Sequence, residues 1–153
     1  AASDVYKRQA LMMAIEKRSD MWAVFLNTEQ FIDHPRVKFL SFNPSNLYKT
    51  KFINTCDAML HARSDGETFG LAVGEFSSRN KPVFTFDAPY GWYNRAHIDM
   101  LGEKAILYKN GEELISYLLQ IDKSYVNDIN WDCYSLKFSP QNVMNQFDEV
   151  FIK

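Results

Sequence analysis

Thiols, long apolar runs and an excess of one charge are all scarce in this sequence. Its 153 residues include two cysteines, Cys56 and Cys133, which lie far apart and form no C-x-x-C pair. We therefore expect no disulfide framework, and we expect a reducing, cytoplasmic setting. No apolar run has the length of a membrane span. A net charge of −2 provides no long-range field for a nucleic acid. We therefore expect neither a membrane span nor a nucleic-acid partner.

Several common catalytic and cofactor motifs are also missing. The sequence has no G-x-G-x-x-G, no phosphate-binding G-x-x-x-x-G-K-[ST] and no G-x-S-x-G. His97 and Asp99 are close in sequence, but no third ligand follows at a spacing that suits zinc. The sequence therefore predicts neither a metal site nor a bound cofactor.

What the chain does have is the composition of a folded domain. Hydrophobic residues make up 46% of it, charged residues 24% and aromatic residues 15%. Short apolar segments of strand length alternate with segments of helical period, a pattern typical of a parallel sheet covered by helices on both faces. The predicted strands are Met21–Leu26, Val37–Leu40, Ala58–Ala62, Val83–Phe86 and Lys104–Tyr108. The predicted helices are Gln9–Arg18, Leu47–Thr55, one from Phe69 that stops at Asn80, Gly111–Tyr125, and one that begins at Ser139-Pro140.

The first nine residues differ from the rest. Ala1–Gln9 resembles translated adapter read-through and suits no strand. We therefore expect residues 1–9 to be a non-native leader with few contacts, and residues 10–153 to form a single domain.

The best candidate site follows the third predicted strand, because ligands of open parallel sheets bind beyond the carboxyl ends of the strands. Gly66 and Glu67 lie there, where we expect a helix to begin. Helix N-termini present unpaired N–H groups, so Glu67 would accept bonds from ligand hydroxyls while the amides of Thr68, Phe69, Gly70 and Leu71 face a phosphate. Glu75, eight residues on, would lie about 12 Å along the helix. The alternative is that both glutamates are solvated charges.

Two residues beside this loop have competing interpretations. His61 ends the third strand and either touches a sugar or phosphate or is a buried histidine bonded to the backbone. Arg63 either contributes phosphate-binding charge or is an ordinary surface arginine. In the helix that follows, Gly70 and Gly74 lie one turn apart and are expected to let it approach the sheet closely.

The residues around the two glutamates resemble the E-x7-E region of group 1 glycosyltransferases. The segments that carry the resemblance are Gly66-Glu67-Thr68-Phe69-Gly70-Leu71, Gly74-Glu75-Phe76 and Lys81-Pro82-Val83. Thr68 and Phe76 depart from the family pattern, which has Gly and Ala there. The resemblance is strongest from Asn54 to Phe86.

This resemblance implies the C-terminal, nucleotide-sugar-binding half of a GT-B glycosyltransferase, with a Rossmann-like parallel sheet. Its implied activity is retaining transfer from a nucleotide-diphosphate sugar to an unknown glycan or lipid acceptor, in surface glycan synthesis. Glu67 would act on the donor sugar as the catalytic residue, the amides of Thr68 to Leu71 would contact sugar or phosphate, and Glu75 would bind the ribose. Gly66, His61 and Arg63 would complete the donor site.

The resemblance also implies that parts of the family's enzyme are missing from this sequence. These are the acceptor-binding domain and a first strand, which would precede the helix at Gln9 in sequence and lie beside both Met21–Leu26 and Ala58–Ala62 in the sheet. We therefore expect the chain alone to be inactive, with unpaired edges on both strands. Two other functions remain open. One is a sugar-nucleotide-binding module without turnover, and the other is a Rossmann-like interaction domain.

Overall fold

A computed structural model describes residues 2–88 and 94–152, with side chains from residue 5 onward. The strands are β1 (Ala23–Leu26), β2 (Val37–Leu40), β3 (Met59–His61), β4 (Val83–Phe86) and β5 (Ala105–Tyr108). The helices are α1 (Ala2–Lys17), α2 (Asn46–Thr55), α3 (Leu71–Ser77), α4 (Ala96–Leu101), α5 (Gly111–Gln120), α6 (Lys123–Asn127) and α7 (Pro140–Phe151), and a short 3-10 helix covers Gly102–Lys104.

The strands form two small sheets, and every pairing is parallel. β1 pairs with β2, and β4 lies between β3 and β5. This confirms a mixed α/β fold with parallel sheets flanked by helices, which is compatible with a Rossmann-like fold. Within the described residues β1 and β3 each have a single hydrogen-bonded neighbour, so the expectation of an unpaired edge on both strands is confirmed.

Strand β4 shows how helices cover both faces of its sheet. Phe84 and Phe86 belong to a core that includes the buried residues of α1 and α5, whereas Val83 belongs to a second core with Val73 of α3 and Ile53 of α2. Successive side chains of a strand point to opposite faces, so this alternation places α1 and α5 on one side and α2 and α3 on the other. The first core also takes in Val37 and Phe39 of β2, and it therefore joins the two sheets through side chains.

Helix α1 overturns the prediction for the start of the chain. It begins at Ala2 rather than Gln9, and Lys7 is 1% exposed. The Nζ atom of Lys7 donates to the backbone oxygen of Ala62 at 2.6 Å and to Oγ of Ser64 at 2.8 Å, and the Tyr6 ring contacts Phe86 edge-on. The expectation that this segment makes few contacts is wrong, because a lysine can bury its stem and still satisfy its charged end.

The helix predicted over Gly111–Tyr125 is two helices. α5 ends at Gln120, the backbone of Ile121 is extended, and Asp122 caps α6 by accepting a bond from the amide of Tyr125. Arg18 donates to the backbone oxygens of Leu118 and Ile121, which gives the last carbonyls of α5 a partner from α1. A single continuous helix is therefore wrong here.

The last helix begins as the sequence predicts. Ser139 caps α7 through the amide of Asn142, and Pro140 occupies the first turn. None of the α7 residues is buried, and its apolar side chains form an exposed stripe at Val143, Met144, Phe147, Val150 and Phe151. In residues 2–88 and 94–152 no helix combines the length and the apolar character needed to cross a membrane.

Candidate functional site

The Glu67 carboxylate lies just past the carboxyl end of β3. Oε1 is 3.0 Å from Nη1 of Arg63 and 3.5 Å from Nε2 of His61. The Glu67 side chain is 25% exposed, while His61 is buried and the Arg63 side chain is 59% exposed. A largely covered carboxylate is thus held between a fixed imidazole and a guanidinium that reaches into solvent.

The loop that carries Glu67 is tied to the segment before α4. Gly66 has a φ of 66°, a left-handed conformation that glycine adopts without strain, and it forms an isolated parallel bridge with Asn94. The amide of Glu67 donates to the Asn94 oxygen at 3.0 Å, and the amide of Asn94 donates to the Asp65 oxygen at 3.2 Å. These bonds fix the position from which the Glu67 side chain projects.

Helix α3 begins at Leu71, so the prediction that Glu67 stands at a helix start is wrong. Gly70 precedes the helix with a φ of 77°, and the bond from Glu67 to Asn94 holds the loop away from helical geometry. The amides of Thr68, Phe69, Gly70 and Leu71 have no protein partner within the part of the chain that the structure describes. A ligand would therefore meet them from a loop rather than from a first helical turn, and of the four residues Gly70 is buried.

The side chains of this loop have different environments. Thr68 is exposed, and Leu71 is exposed at the start of α3. The Phe69 ring packs on Tyr134 and Phe138, and its backbone oxygen accepts a bond from the Tyr134 hydroxyl at 3.0 Å. Phe69 therefore anchors the loop to the core through its side chain, which leaves only its amide for the predicted contact.

Glu75 has a different set of partners from Glu67. It lies on α3 and forms an ion pair with Lys49 of α2, with Nζ and Oε1 2.5 Å apart and both side chains partly exposed. Because Glu67 precedes the helix, the two glutamates do not share one helical axis, and the distance inferred from helical rise does not apply. The structure brings His61, Arg63 and Glu67 into contact and leaves Glu75 beside Lys49.

Gly70, just before α3, and Gly74, within it, approach neighbours other than the sheet. A β-carbon on Gly70 would be 2.9 Å from Cβ of His97, and one on Gly74 would be 2.6 Å from Cδ1 of Tyr134. The predicted close approach at these glycines is confirmed, but their nearest neighbours are His97 and Tyr134 rather than the sheet. The prediction that Asn80 ends the helix in a left-handed conformation is confirmed by its φ of 58°.

A buried polar chain behind Glu67 was not predicted. Oγ1 of Thr85 in β4 lies 2.9 Å from Nδ1 of His61 and 2.9 Å from Nε2 of His97 in α4. All three residues are buried. The signal in the sequence is a threonine inside the apolar run Val83–Phe86, because a buried hydroxyl needs a hydrogen-bond partner.

Burial controls the charge of His61 and His97, the two histidines bonded to Thr85. Burial and, to a smaller extent, the nearby His97 together lower the pKa of His61 to about 4, against the opposing effect of Glu67. Burial also lowers the pKa of His97, again against the attraction of Glu67. Both imidazoles are therefore neutral at pH 7, so the Arg63 guanidinium supplies the positive charge next to Glu67.

The described residues contain no cluster of three or more His, Cys, Asp or Glu side chains with the geometry of a metal site. His97, which stands near Asp99 in the sequence, instead faces Thr85. Comparison with the models of known protein families and with curated proteins finds no match to this sequence. The functional argument therefore depends on the geometry around Glu67 and on the resemblance of its motif.

Proposed function

We propose that this chain binds a nucleotide-diphosphate sugar in the loop after β3, and that it serves as the donor-binding part of a retaining glycosyltransferase. The acceptor is an unknown glycan or lipid, and the setting is surface glycan synthesis in the cytoplasm. Retention, donor class and GT-B architecture come from the resemblance of the Glu67–Glu75 region to group 1 glycosyltransferases.

The observation that carries the proposal is the placement of the Glu67 carboxylate. It lies at the carboxyl end of a parallel strand, where open α/β sheets bind ligands, and it is anchored but still accessible. A carboxylate of this kind accepts hydrogen bonds from sugar hydroxyls. The adjacent amides of Thr68 to Leu71 supply donors for a phosphate or a sugar oxygen.

Positive charge near the site supports a diphosphate ligand. The Arg63 side chain is mostly in solvent, so it can leave Glu67 and reach a phosphate without losing a buried contact. Lys49 holds Glu75 at the surface, and a ribose hydroxyl can donate to the carboxylate oxygen that Lys49 does not occupy. Arg63 offsets the charge that develops on the departing phosphate, and the loop amides add fixed dipoles of the kind that stabilise such a transition state.

Titration with UDP-glucose and GDP-mannose tests the proposal. We expect one of these donors to bind the purified chain, observed by isothermal calorimetry and by a rise in melting temperature. Glu67→Gln should weaken binding about tenfold, because a charge-assisted hydrogen bond contributes roughly 1.5–3 kcal/mol. Glu149→Gln on exposed α7 is the matched control, since it makes the same chemical change away from the site.

Two results would contradict the proposal. One is wild-type protein that binds neither donor, and the other is equal loss of affinity in Glu67→Gln and Glu149→Gln. If binding holds, measuring transfer of the sugar to an acceptor distinguishes an enzyme from a module that binds without turnover.

A further inference from the structure

The hydroxyl of Thr85 lies between two imidazole nitrogens, Nδ1 of His61 and Nε2 of His97, each at 2.9 Å. A hydroxyl carries one hydrogen, so it can donate to only one of these nitrogens. The other nitrogen must then carry a proton and donate to the hydroxyl oxygen if both contacts are hydrogen bonds. With both rings neutral, the tautomer of one histidine therefore determines the tautomer of the other through Thr85.

Two orders of donation satisfy this row of hydrogen bonds from His97 through Thr85 to His61. In the first, His97 donates from Nε2 to Thr85, Thr85 donates to Nδ1 of His61, and the proton of His61 is on Nε2. In the second, every donor is reversed, and both rings carry their proton on Nδ1. The two orders therefore place opposite tautomers on both histidines.

The Glu67 carboxylate selects between these orders. Its Oε1 is 3.5 Å from Nε2 of His61, so the first order points an N–H at a negative oxygen, whereas the second points a lone pair at it. The backbone of Glu67 acts on His97 in the opposite sense, because it favours protonation of that ring, and with Nε2 facing Thr85 this proton would be on Nδ1, as in the second order. A full negative charge outweighs a backbone dipole, so the first order is favoured.

We propose that Thr85 and His97 are positioning residues: with the order of donation set by Glu67, their hydrogen bonds hold the His61 ring in its Nε2–H tautomer, which aims the Glu67 carboxylate at the ligand. This role deepens the donor-binding function proposed above and rests on it. Its structural basis spans three elements, since the chain runs from α4 through β4 to the end of β3. His61 is held from the backbone side as well, where its carbonyl oxygen accepts a bond from the buried Tyr108 hydroxyl at 3.2 Å.

The neutrality of His61 matters for this role. A charged imidazole would form a buried ion pair with Glu67 and reduce the capacity of the carboxylate to accept from a sugar. A neutral Nε2–H donor orients Glu67 and leaves its negative charge in place. Arg63 then neutralises the carboxylate only while no ligand is bound, because its exposed side chain can move.

The first test reads the tautomers directly and needs no ligand. Long-range 1H–15N correlation spectra of histidine-labelled protein at pH 7 distinguish Nε2–H from Nδ1–H, and single His→Gln variants assign the signals of the three histidines. We expect Nε2–H on both His61 and His97. A proton on Nδ1 of either ring, or an imidazolium at either position, overturns the proposal.

The second test links the tautomer to Glu67 through donor binding. Thr85→Val keeps the shape of the side chain and removes the hydroxyl, so we expect affinity for the bound nucleotide sugar to fall about fivefold, the effect of one lost hydrogen bond. Thr85→Ser restores the hydroxyl and should return affinity to within about twofold of wild type on the same scale. Unchanged affinity in Thr85→Val, or failure of Thr85→Ser to restore binding while it retains the fold, overturns the positioning role.

Failure of the two proposals is distinguishable. If wild-type protein binds no nucleotide sugar, the proposed function fails even where both rings show Nε2–H. If wild-type protein binds but the tautomers are reversed, the positioning role alone fails.

Discussion

Gly74 lies against the ring of Tyr134 so closely that a β-carbon at position 74 would be 2.6 Å from Cδ1 and 2.8 Å from Cε1. The ring has little freedom to move, because Tyr134 is buried and its hydroxyl donates to the backbone oxygen of Phe69. The backbone of α3 therefore packs directly on an aromatic face.

We expect Gly74→Ala to destabilise the fold. Alanine favours a helix over glycine by about 1 kcal/mol, but overpacking a fixed neighbour costs about 1–3 kcal/mol, so the net free energy of unfolding should fall. Gly111→Ala is the control, since its new β-carbon would have its nearest neighbour at 3.5 Å. Urea unfolding should show Gly111→Ala unchanged or more stable, by up to about 1 kcal/mol. A stabilised Gly74→Ala variant would contradict the contact.

Gly70 and Gly102 separate backbone strain from collision. Both have positive φ, at 77° and 56°, but a β-carbon on Gly70 would be 2.9 Å from Cβ of His97, while one on Gly102 would have no neighbour within 4 Å. Gly102, with a ψ of −135°, adopts a conformation almost exclusive to glycine, so Gly102→Ala should cost about 3 kcal/mol from backbone strain alone. Gly70, with a ψ of 65°, is left-handed helical, where alanine costs about 1 kcal/mol of strain, and the collision with buried His97 should add about 1–3 kcal/mol. A total cost of only about 1 kcal/mol for Gly70→Ala in urea unfolding would show that His97 yields freely.

The burial of Lys7 predicts a role for the first turns of α1. Lys7→Ala removes two hydrogen bonds to the loop after β3 and should reduce the free energy of unfolding by about 1–3 kcal/mol. Gln9→Ala, two residues along and exposed, should change it by less than about 0.5 kcal/mol. Denaturant unfolding of both variants makes the comparison, and equal stabilities would support the original expectation of a loosely attached leader.

Stability should fall as the pH falls through the histidine range. The folded pKa of His61 is about 4, below its usual 6.5, because burial and the neighbouring His97 and Arg63 disfavour the charged ring more than Glu67 favours it. The unfolded state therefore takes up the proton first, so stability is complete above about pH 6.5 and decreases until about pH 4. The loss is at most about 3 kcal/mol. In urea unfolding between pH 7 and 4.5, the free energy of unfolding of His61→Gln should depend less on pH than that of the wild type. The same pH dependence in both proteins would refute the assignment.

The sequence predicted the elements whose signals are local. Val37–Leu40 and Val83–Phe86 are apolar runs of strand length, and both have the predicted bounds. The Ser139-Pro140 pair and the left-handed Asn80 carry capping information in one or two residues, so they too could be located without tertiary contacts.

The features that the sequence did not predict depend on distant partners. Helix α5 stops at Gln120 because Arg18 binds its carbonyls and Asp122 starts a new helix, and the first of these contacts crosses about a hundred residues of chain. Helix α3 starts late because Asn94 binds the amide of Glu67. The sequence did not predict the hydrogen bonds of Thr85 to His61 and His97, because the two histidines belong to different elements and only the tertiary fold brings them together.

The junction between the two sheets has a mechanical consequence. Among the described residues no backbone hydrogen bond connects β1 and β2 to β3, β4 and β5, so the shared side-chain core around α1 is what holds them in register. If one sheet slid along the other, side-chain contacts in the shared core would change but no backbone hydrogen bond between strands would break. This is the geometry of a shear motion. Residues such as Ile15 and Ala14, fully enclosed in that core, therefore control the stiffness of the molecule between the two sheets.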